Sequence, residues 1–339
     1  MTPLLDVQDM HVTFETEDGL VRAVDGVSFS VEAGKTLGIV GESGSGKSVT
    51  SLTVMGLTRG PSTKISGTAT FEGEDLIAAS DVQLREVRGN EVAMIFQDPL
   101  SSLHPFYKVG TQLVEAIQTH QHVSRGAAWD RSGQLLELVG IPEARKRLDH
   151  YPHEFSGGMR QRAMIAMALS NDPKVLIADE PTTALDVTVQ AQILELIAKL
   201  QAELGMGVVI ITHDLGVVAE VADEIAVMYA GRIVERGKTD TLFDSPAHPY
   251  TWGLLESVPR FDRERESRLV PIPGSPPSLL DPPSGCPFHP RCRYRGLTDG
   301  LAETERPELH DVGPGHRVAC HLDDADRRRI VDEEVAAWL

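Results

Sequence analysis

"KTLGIVGESGSGKSVTSLTVMGLT", residues 35–58, is the stretch that decides the fold. An apolar run, "TLGIV", reads as a short buried strand, and "KSVTSLTVMGL" has the spacing of a helix. Between them, "GESGSGKS" (Gly41–Ser48) fits G-x-x-x-x-G-K-[ST] in the strand–loop–helix context that this motif needs. Glycines let such a loop wrap a phosphate with its N–H groups turned inward, and the helix N-terminus adds partial positive charge. The backbone from Gly41 through Ser43, Gly44, Ser45 and Gly46 to Val49 is therefore the candidate phosphate cradle. Lys47 is placed to reach the β- and γ-phosphates, and Ser48 Oγ to ligate Mg2+. An incidental lysine in a flexible Gly/Ser loop is the plain alternative, and the flanking strand and helix disfavour it.

Outward from this loop the chain keeps the same texture. "LLDVQDMHVTFET" and "AVDGVSFSVEAG" alternate like strands of an antiparallel meander, with Gly34 in a turn. Ser101 to about Leu148 is richer in polar helix formers, with "GTQLVEAIQTH" and "AAWDRSGQLLELVG" at helical spacing, and reads as a helical insertion. From Gly157 apolar strands ("KVLIADE", "GVVIITH", "EIAVMYAGRIVERG") alternate with amphipathic helices, which implies a parallel sheet covered on both faces. After "HPYTWGLLESVP" the chain turns proline- and glycine-rich and ends in a charged tail.

A second group of residues falls at strand ends. "VLIADE" (Val175–Glu180) ends a buried strand in two carboxylates: Asp179 to hold Mg2+ and Glu180 to polarise an attacking water. Gln97 closes "MIFQ", Ser156, Gly157 and Gly158 open a helix as a second anion site, and His213 ends "VVIITH". Alone, each would be a solvated Gln, a helix cap or a strand-capping His. Their common placement at one sheet edge favours a joint role.

Composition bounds the rest. The 339 residues are 24% charged and 41% hydrophobic, as in ordinary soluble proteins. The net charge of −18 argues against nucleic acid as a partner, since phosphate neutralisation needs a basic surface. The N-terminus lacks the basic and apolar regions of a signal peptide, and runs such as "VVIIT" are far shorter than the ~20 residues of a spanning helix. A cytoplasmic chain is the expectation. In that setting Cys286, Cys292 and Cys320, the only three cysteines, lean towards metal or redox chemistry rather than a disulfide.

Taken together the motifs resemble the ATP-binding subunits of ABC transporters, over about Leu4 to Gly237. The Walker A loop "GESGSGKS", the glutamine loop at Gln97, the signature "SGGMRQR", the Walker B strand "VLIADE", the "TALD" loop (Thr183–Asp186) and the switch histidine His213 stand in that family's order. The signature departs only in Met159, where many members carry Gln. The resemblance implies an α/β fold: a P-loop ABC ATPase domain with an N-terminal antiparallel β subdomain and a helical subdomain, plus a small irregular C-terminal extension. Expected boundaries are 1–250 for the nucleotide-binding domain, with the helical subdomain at about 98–170, and 251–339 for the extension. It further implies ATP and Mg2+ as cofactors, with Ser48, Gln97 and Asp179 near the metal. Two such domains would meet head to tail, so that Ser156, Gly157 and Gly158 face the γ-phosphate on a partner's loop, while His213 contacts the γ-phosphate and Asp186 communicates across the interface. An aromatic stacks on adenine in such domains; Phe14 is the candidate, with a core Phe as the alternative.

Within the family, "EVAMIFQDPLSSLHP", "HPYTWGLLESVP" and "CPFHPRC…ERPEL…GHRVACH" look like the oligopeptide/dipeptide importers. Nickel importers share much of this pattern. The implied partners are a second, related ATPase subunit, two permease subunits and, through them, an extracytoplasmic solute-binding protein, with the chain peripheral on the cytoplasmic face of the membrane. A soluble ABC ATPase acting on nucleic acid is the rival class, opposed by the acidic balance and the lack of a long coiled-coil insertion. The subfamily carries four cysteines in the extension, associated with a 4Fe–4S cluster, whereas this chain has "RGLTDGLAET" where another is expected. Iron–sulfur cluster, zinc with histidine ligands, and free thiols all remain open for Cys286, Cys292 and Cys320.

Overall fold

The structure is a computed structural model that describes residues 2–97, 103–183, 185–257 and 271–335. It contains two compact units. One comprises Met1–Asp6, Ser30–Thr36 and Thr70–Ile211, and the other Val7–Phe29, Leu37–Ala69 and Thr212–Leu339. Residues 258–270, the end of the charged tail, and Asp98–Ser102 at the start of the helical insertion lie outside the described residues, whereas the expected proline- and glycine-rich linker, 270–285, is described from Pro271 onward.

Mostly in the second unit, β1 (Leu5–Thr16) pairs with β2 (Gly19–Val31), the two strands that alternation predicts, and β4 (Thr63–Phe71) lies on the other side of β1, so that the order is not that of a simple meander. The strand before the phosphate loop is β3 (Thr36–Val40), buried at every position, and the helix after it is α1 (Lys47–Val54). Further along, β9 (Glu224–Tyr229) runs parallel to β3, pairing Leu37 with Glu224 and Val40 with Val227. "EIAVMYAGRIVERG", read from sequence as one strand, folds back on itself. Ala230 (φ 48°) and Gly231 (φ 80°) make a two-residue turn, and β10 (Arg232–Lys238) returns antiparallel to β9. Both central residues at positive φ match the twist of a tight hairpin. An alanine there carries no such signal in the sequence.

The C-terminal extension is mostly turns, but it adds two short strands to this sheet. β11 (His310–Gly313) and β12 (His316–Val318) form a hairpin, and β12 pairs antiparallel with β10, Glu235 opposite Val318. A buried carboxylate fastens the join. Glu235, wholly inaccessible, accepts from His316 Nε2 (2.8 Å), Ala247 N (2.6 Å) and His248 N (2.9 Å). Behind it Trp252 packs with Leu322, Ile330 and Val335, and its indole N–H donates to Pro246 O at 2.8 Å.

In the first unit, β6 (Val92–Ile95), β7 (Val175–Asp179) and β8 (Gly207–Thr212) are parallel, with Val92 opposite Val175 and Val175 opposite Gly207. β7 and β8 are buried throughout, as their unbroken apolar runs predict. The helical insertion supplies α3 (Val109–His120) and α4 (Arg125–Leu138), which follow α2 (Asp81–Val87). The short α5 (Ala144–Arg147) leads on to α6 (Gly157–Ala168) and α7 (Val187–Leu204). Asn171 ties α3 to the turn that follows α2: its Nδ2 donates to Gly89 O (3.0 Å) and Ala116 O (3.2 Å), and its Oδ1 accepts from Gln121 (3.1 Å). Among the described residues no helix is long and apolar enough to cross a membrane.

Candidate functional site

The phosphate loop runs from the end of β3 into α1, where the motif places it. Gly46 has φ 99°, a left-handed backbone, and a Cβ there would run into the Ala23 carbonyl oxygen. Gly231 N, in the β9–β10 turn, donates to Ser45 O at 2.9 Å, so the hairpin missed from sequence supports the loop from below. Lys47 is buried, and its ammonium donates to Gly41 O (2.5 Å), Glu42 O (2.9 Å) and Ser45 Oγ (3.3 Å). Ser43 and Gly44 are exposed at the rim, with Ser48 and Val49 half-buried at the start of α1. A buried cation, a hydroxyl and a glycine cradle are the kind of donor set that suits phosphates, and Ser48 adds a hydroxyl of the kind that suits Mg2+.

In the other unit, β7 ends in Asp179, 4% exposed, followed by Glu180. Glu180 sits at φ 47°, a left-handed conformation uncommon for a side chain of its size and one that clusters at functional sites. Its neighbours hold it there. Its N–H donates to Ile211 O (2.8 Å), and its Oε2 accepts from Gln97 Nε2 (2.9 Å) and Thr183 Oγ1 (2.7 Å). The sequence placed Gln97 and Glu180 at strand ends; the structure puts them in direct contact across 83 residues of chain. Thr183, in the "TALD" loop, carries this second bond without having been singled out. Ala184 of that loop lies outside the described residues.

The signature forms a capped helix start. Ser156 caps α6, its side chain accepting from Met159 N at 3.3 Å, and Ser156 and Gly157 are exposed. A Cβ on Gly158 would press on Val189 of α7, so glycine lets the two helices approach closely. Asp186 is exposed and caps α7 through Val189 N (3.0 Å). His213 follows β8 and is exposed, and Phe14 is half-buried on β1.

The three cysteines meet round one small cavity of about 20 Å³, with Phe288, Thr298 and Leu322 among its other lining residues. All are free thiols. Burial, seconded by their mutual proximity, pushes Cys292 up to about 11 and Cys320 up to about 12, and burial also raises Cys286. With three cysteines in the chain, a fourth thiolate is missing. Thr298, in the stretch where a further cysteine was expected, lines the cavity, His289 Nδ1 is engaged with Cys286 O (3.0 Å), and His321 Nε2 with Glu305 O (2.8 Å). Among the described residues no three His, Cys, Asp or Glu side chains are grouped to hold a metal ion. A cavity of that size matches a single water rather than a cluster. The residues present do not fit the four-thiolate cluster or the zinc site left open by the sequence.

A lysine-bearing phosphate loop, a strand-end Asp–Glu pair with its glutamine, and a Ser-Gly-Gly helix start define the class: an ATPase of the ATP-binding cassette type. The comparisons agree. Residues 24–183 match the ABC transporter family, and residues 234–297 match the oligopeptide/dipeptide transporter C-terminal region. The chain is 51% identical to the oligopeptide transport ATP-binding protein OppD of Bacillus subtilis, over 98% of this chain and 93% of that protein. It is 50% identical to the dipeptide transport ATP-binding protein DppD of Escherichia coli, over 96% of this chain and 98% of that one. Among solved structures it is similar to the dimeric cassette MJ0796 (TM-score 0.62, 26% identity, 69% of this chain, 98% of that chain). A similar likeness holds to cbiO1 of Clostridium perfringens (TM-score 0.61, 28% identity, 72% of this chain, 92% of that chain). The chain belongs to the ATP-binding proteins of the ABC transporters, within the oligopeptide/dipeptide group.

Proposed function

We propose that this chain binds and hydrolyses ATP to energise the import of di- or oligopeptides through two permease subunits. The observation that carries the chemistry is Glu180, held at the end of β7 by Gln97 and Thr183 with an oxygen fixed at 2.9 and 2.7 Å. A carboxylate so oriented suits a general base for water. Lys47 and the loop N–H groups would bind the phosphates, and Ser48, Asp179 and Gln97 would hold Mg2+, which when bound neutralises charge on the phosphates. Gln97 both contacts the base and begins the helical insertion, so movement there would reach the base directly. Ser156, Gly157 and Gly158 would close over the nucleotide of a second, related ATPase subunit, with Asp186 at that interface and His213 at the γ-phosphate. Phe14 is the proposed adenine platform.

Peptide as cargo is supported by the names of the relatives and by the matching C-terminal region. A solute-binding protein outside the cell would deliver it, and this chain would lie on the cytoplasmic face. The permease would seat on a largely apolar groove of about 580 Å³ beside Gln97, lined by Met94 of β6 and Phe96 just after it, Thr119 and His120 of α3, and Met164 and Met167 of α6. The reading is tested by isolating the tagged chain from membranes: two multi-spanning proteins should accompany it, and recovery of the chain with nucleic acid instead would refute it.

A further inference from the structure

Glu42, the second residue of the phosphate loop, is an anion inside an anion-binding loop. Every polar group it offers is engaged. Its carboxylate accepts two bonds from Arg291, Nη1 to Oε2 at 2.5 Å and Nη2 to Oε1 at 3.0 Å. Its N–H donates to Tyr250 Oη at 2.8 Å, and its carbonyl accepts from Lys47 Nζ at 2.9 Å. Arg291 lies in "CPFHPRC", 249 residues further along the chain, and its side chain is only 5% exposed. It is anchored independently: Nε donates to Pro273 O (2.9 Å), and the guanidinium lies over the rings of Tyr229 (5.8 Å) and Phe288 (6.0 Å). Burial works against its charge, but the bonds to Glu42 and Tyr229 outweigh that and raise its pKa.

We infer that Arg291 is a positioning residue for nucleotide binding: it cancels the Glu42 charge beside the phosphates and fixes the carbonyl on which Lys47 rests. Two observations lead there. A bare carboxylate next to a triphosphate repels it, and the repulsion is strong where water is partly excluded. A bidentate guanidinium also sets direction as well as charge. The C-terminal extension is thereby part of the ATP site, with no contact to the reacting atoms. Its cysteine turn holds the arginine: Arg291 N donates to Phe288 O (3.0 Å), and Cys292 follows directly.

The inference rests on the nucleotide reading above, and its test separates the two. Affinity of the full chain for a fluorescent ATP analogue with Mg2+ is measured for the parent, Arg291→Met, Glu42→Gln and the pair. Failure of the parent to bind would count against the nucleotide reading itself. With a binding parent, Arg291→Met should weaken affinity by roughly tenfold or more, and adding Glu42→Gln should recover most of that loss, because the uncompensated charge is gone. Where Arg291→Met fails to fold, Arg291→Lys is measured in its place; it keeps a positive charge without the paired contact and should lose affinity by roughly threefold. Retained affinity in Arg291→Met, parental affinity in Arg291→Lys, or a loss that Glu42→Gln does not restore would each overturn it.

Discussion

Glu180 and Lys47 share a trait at the residue scale: each is held by its own neighbours before any ligand arrives. Lys47 rests on Gly41 and Glu42 carbonyls, and Glu180 is gripped by Gln97 and Thr183. Removing the ammonium in Lys47→Ala should abolish measurable binding of the ATP analogue. Glu180→Gln keeps the shape of the site and should bind the analogue as the parent does while steady-state phosphate release falls by about 100-fold or more. Hydrolysis at parental rate in that variant would remove Glu180 from the role of base. A third residue sets a pH response. His248 caps α10 (Pro249–Glu256) through Tyr250 N at 3.0 Å, and burial lowers its pKa to about 4, with Glu235 nearby opposing the shift. The folded chain therefore holds it neutral, while the unfolded chain takes a proton as pH falls below about 6.5. Its contribution is complete above that pH and is lost on descent to about 4, amounting to about 3 kcal/mol. Urea unfolding should show this slope in the parent and a shallower one in His248→Asn, which keeps a cap but has no such titration.

At the scale of elements, the legible parts were the local ones. Strand, loop and helix round Lys47 lie within one continuous stretch, so the motif and its context could be read together, and the buried runs of β7 and β8 announced themselves by length and composition. What escaped depends on partners far away in the chain. Nothing near Gln97 says that it meets Glu180, and nothing near Glu42 points to Arg291. The β9–β10 hairpin escaped because Ala230 takes a positive φ that favours Gly or Asn. β11 and β12 escaped because strands of four and three residues separated by "PG" show no period. They matter to stability through one buried pair: Glu235→Ala would leave His316 and two backbone N–H groups without an acceptor. Removing one partner of a buried pair costs about 3 kcal/mol or more, so the urea midpoint should fall markedly. An unchanged midpoint would mean that the extension is not fastened through Glu235.

For the whole molecule, the phosphate loop belongs to one unit and the strand-end carboxylates Asp179 and Glu180 to the other. The C-terminal extension, irregular to the eye in sequence, completes a sheet and clamps the loop. Desolvation raises the pKa of its three thiols, so alkylation at pH 8 should be roughly a hundredfold slower at Cys292 and Cys320 than for an exposed cysteine, rising to the ordinary rate on unfolding. On the groove beside Gln97, Thr119→Trp should reduce transport while leaving ATP affinity intact, since Thr119 is exposed on α3 and far along the chain from Lys47. The most direct test of the account is peptide uptake into vesicles containing this chain, its two permeases, the second ATPase and the binding protein. Uptake of a labelled di- or oligopeptide should require ATP and stop with Glu180→Gln. Uptake that continues undiminished in that variant, or an assembly that hydrolyses ATP without moving peptide, would contradict the account.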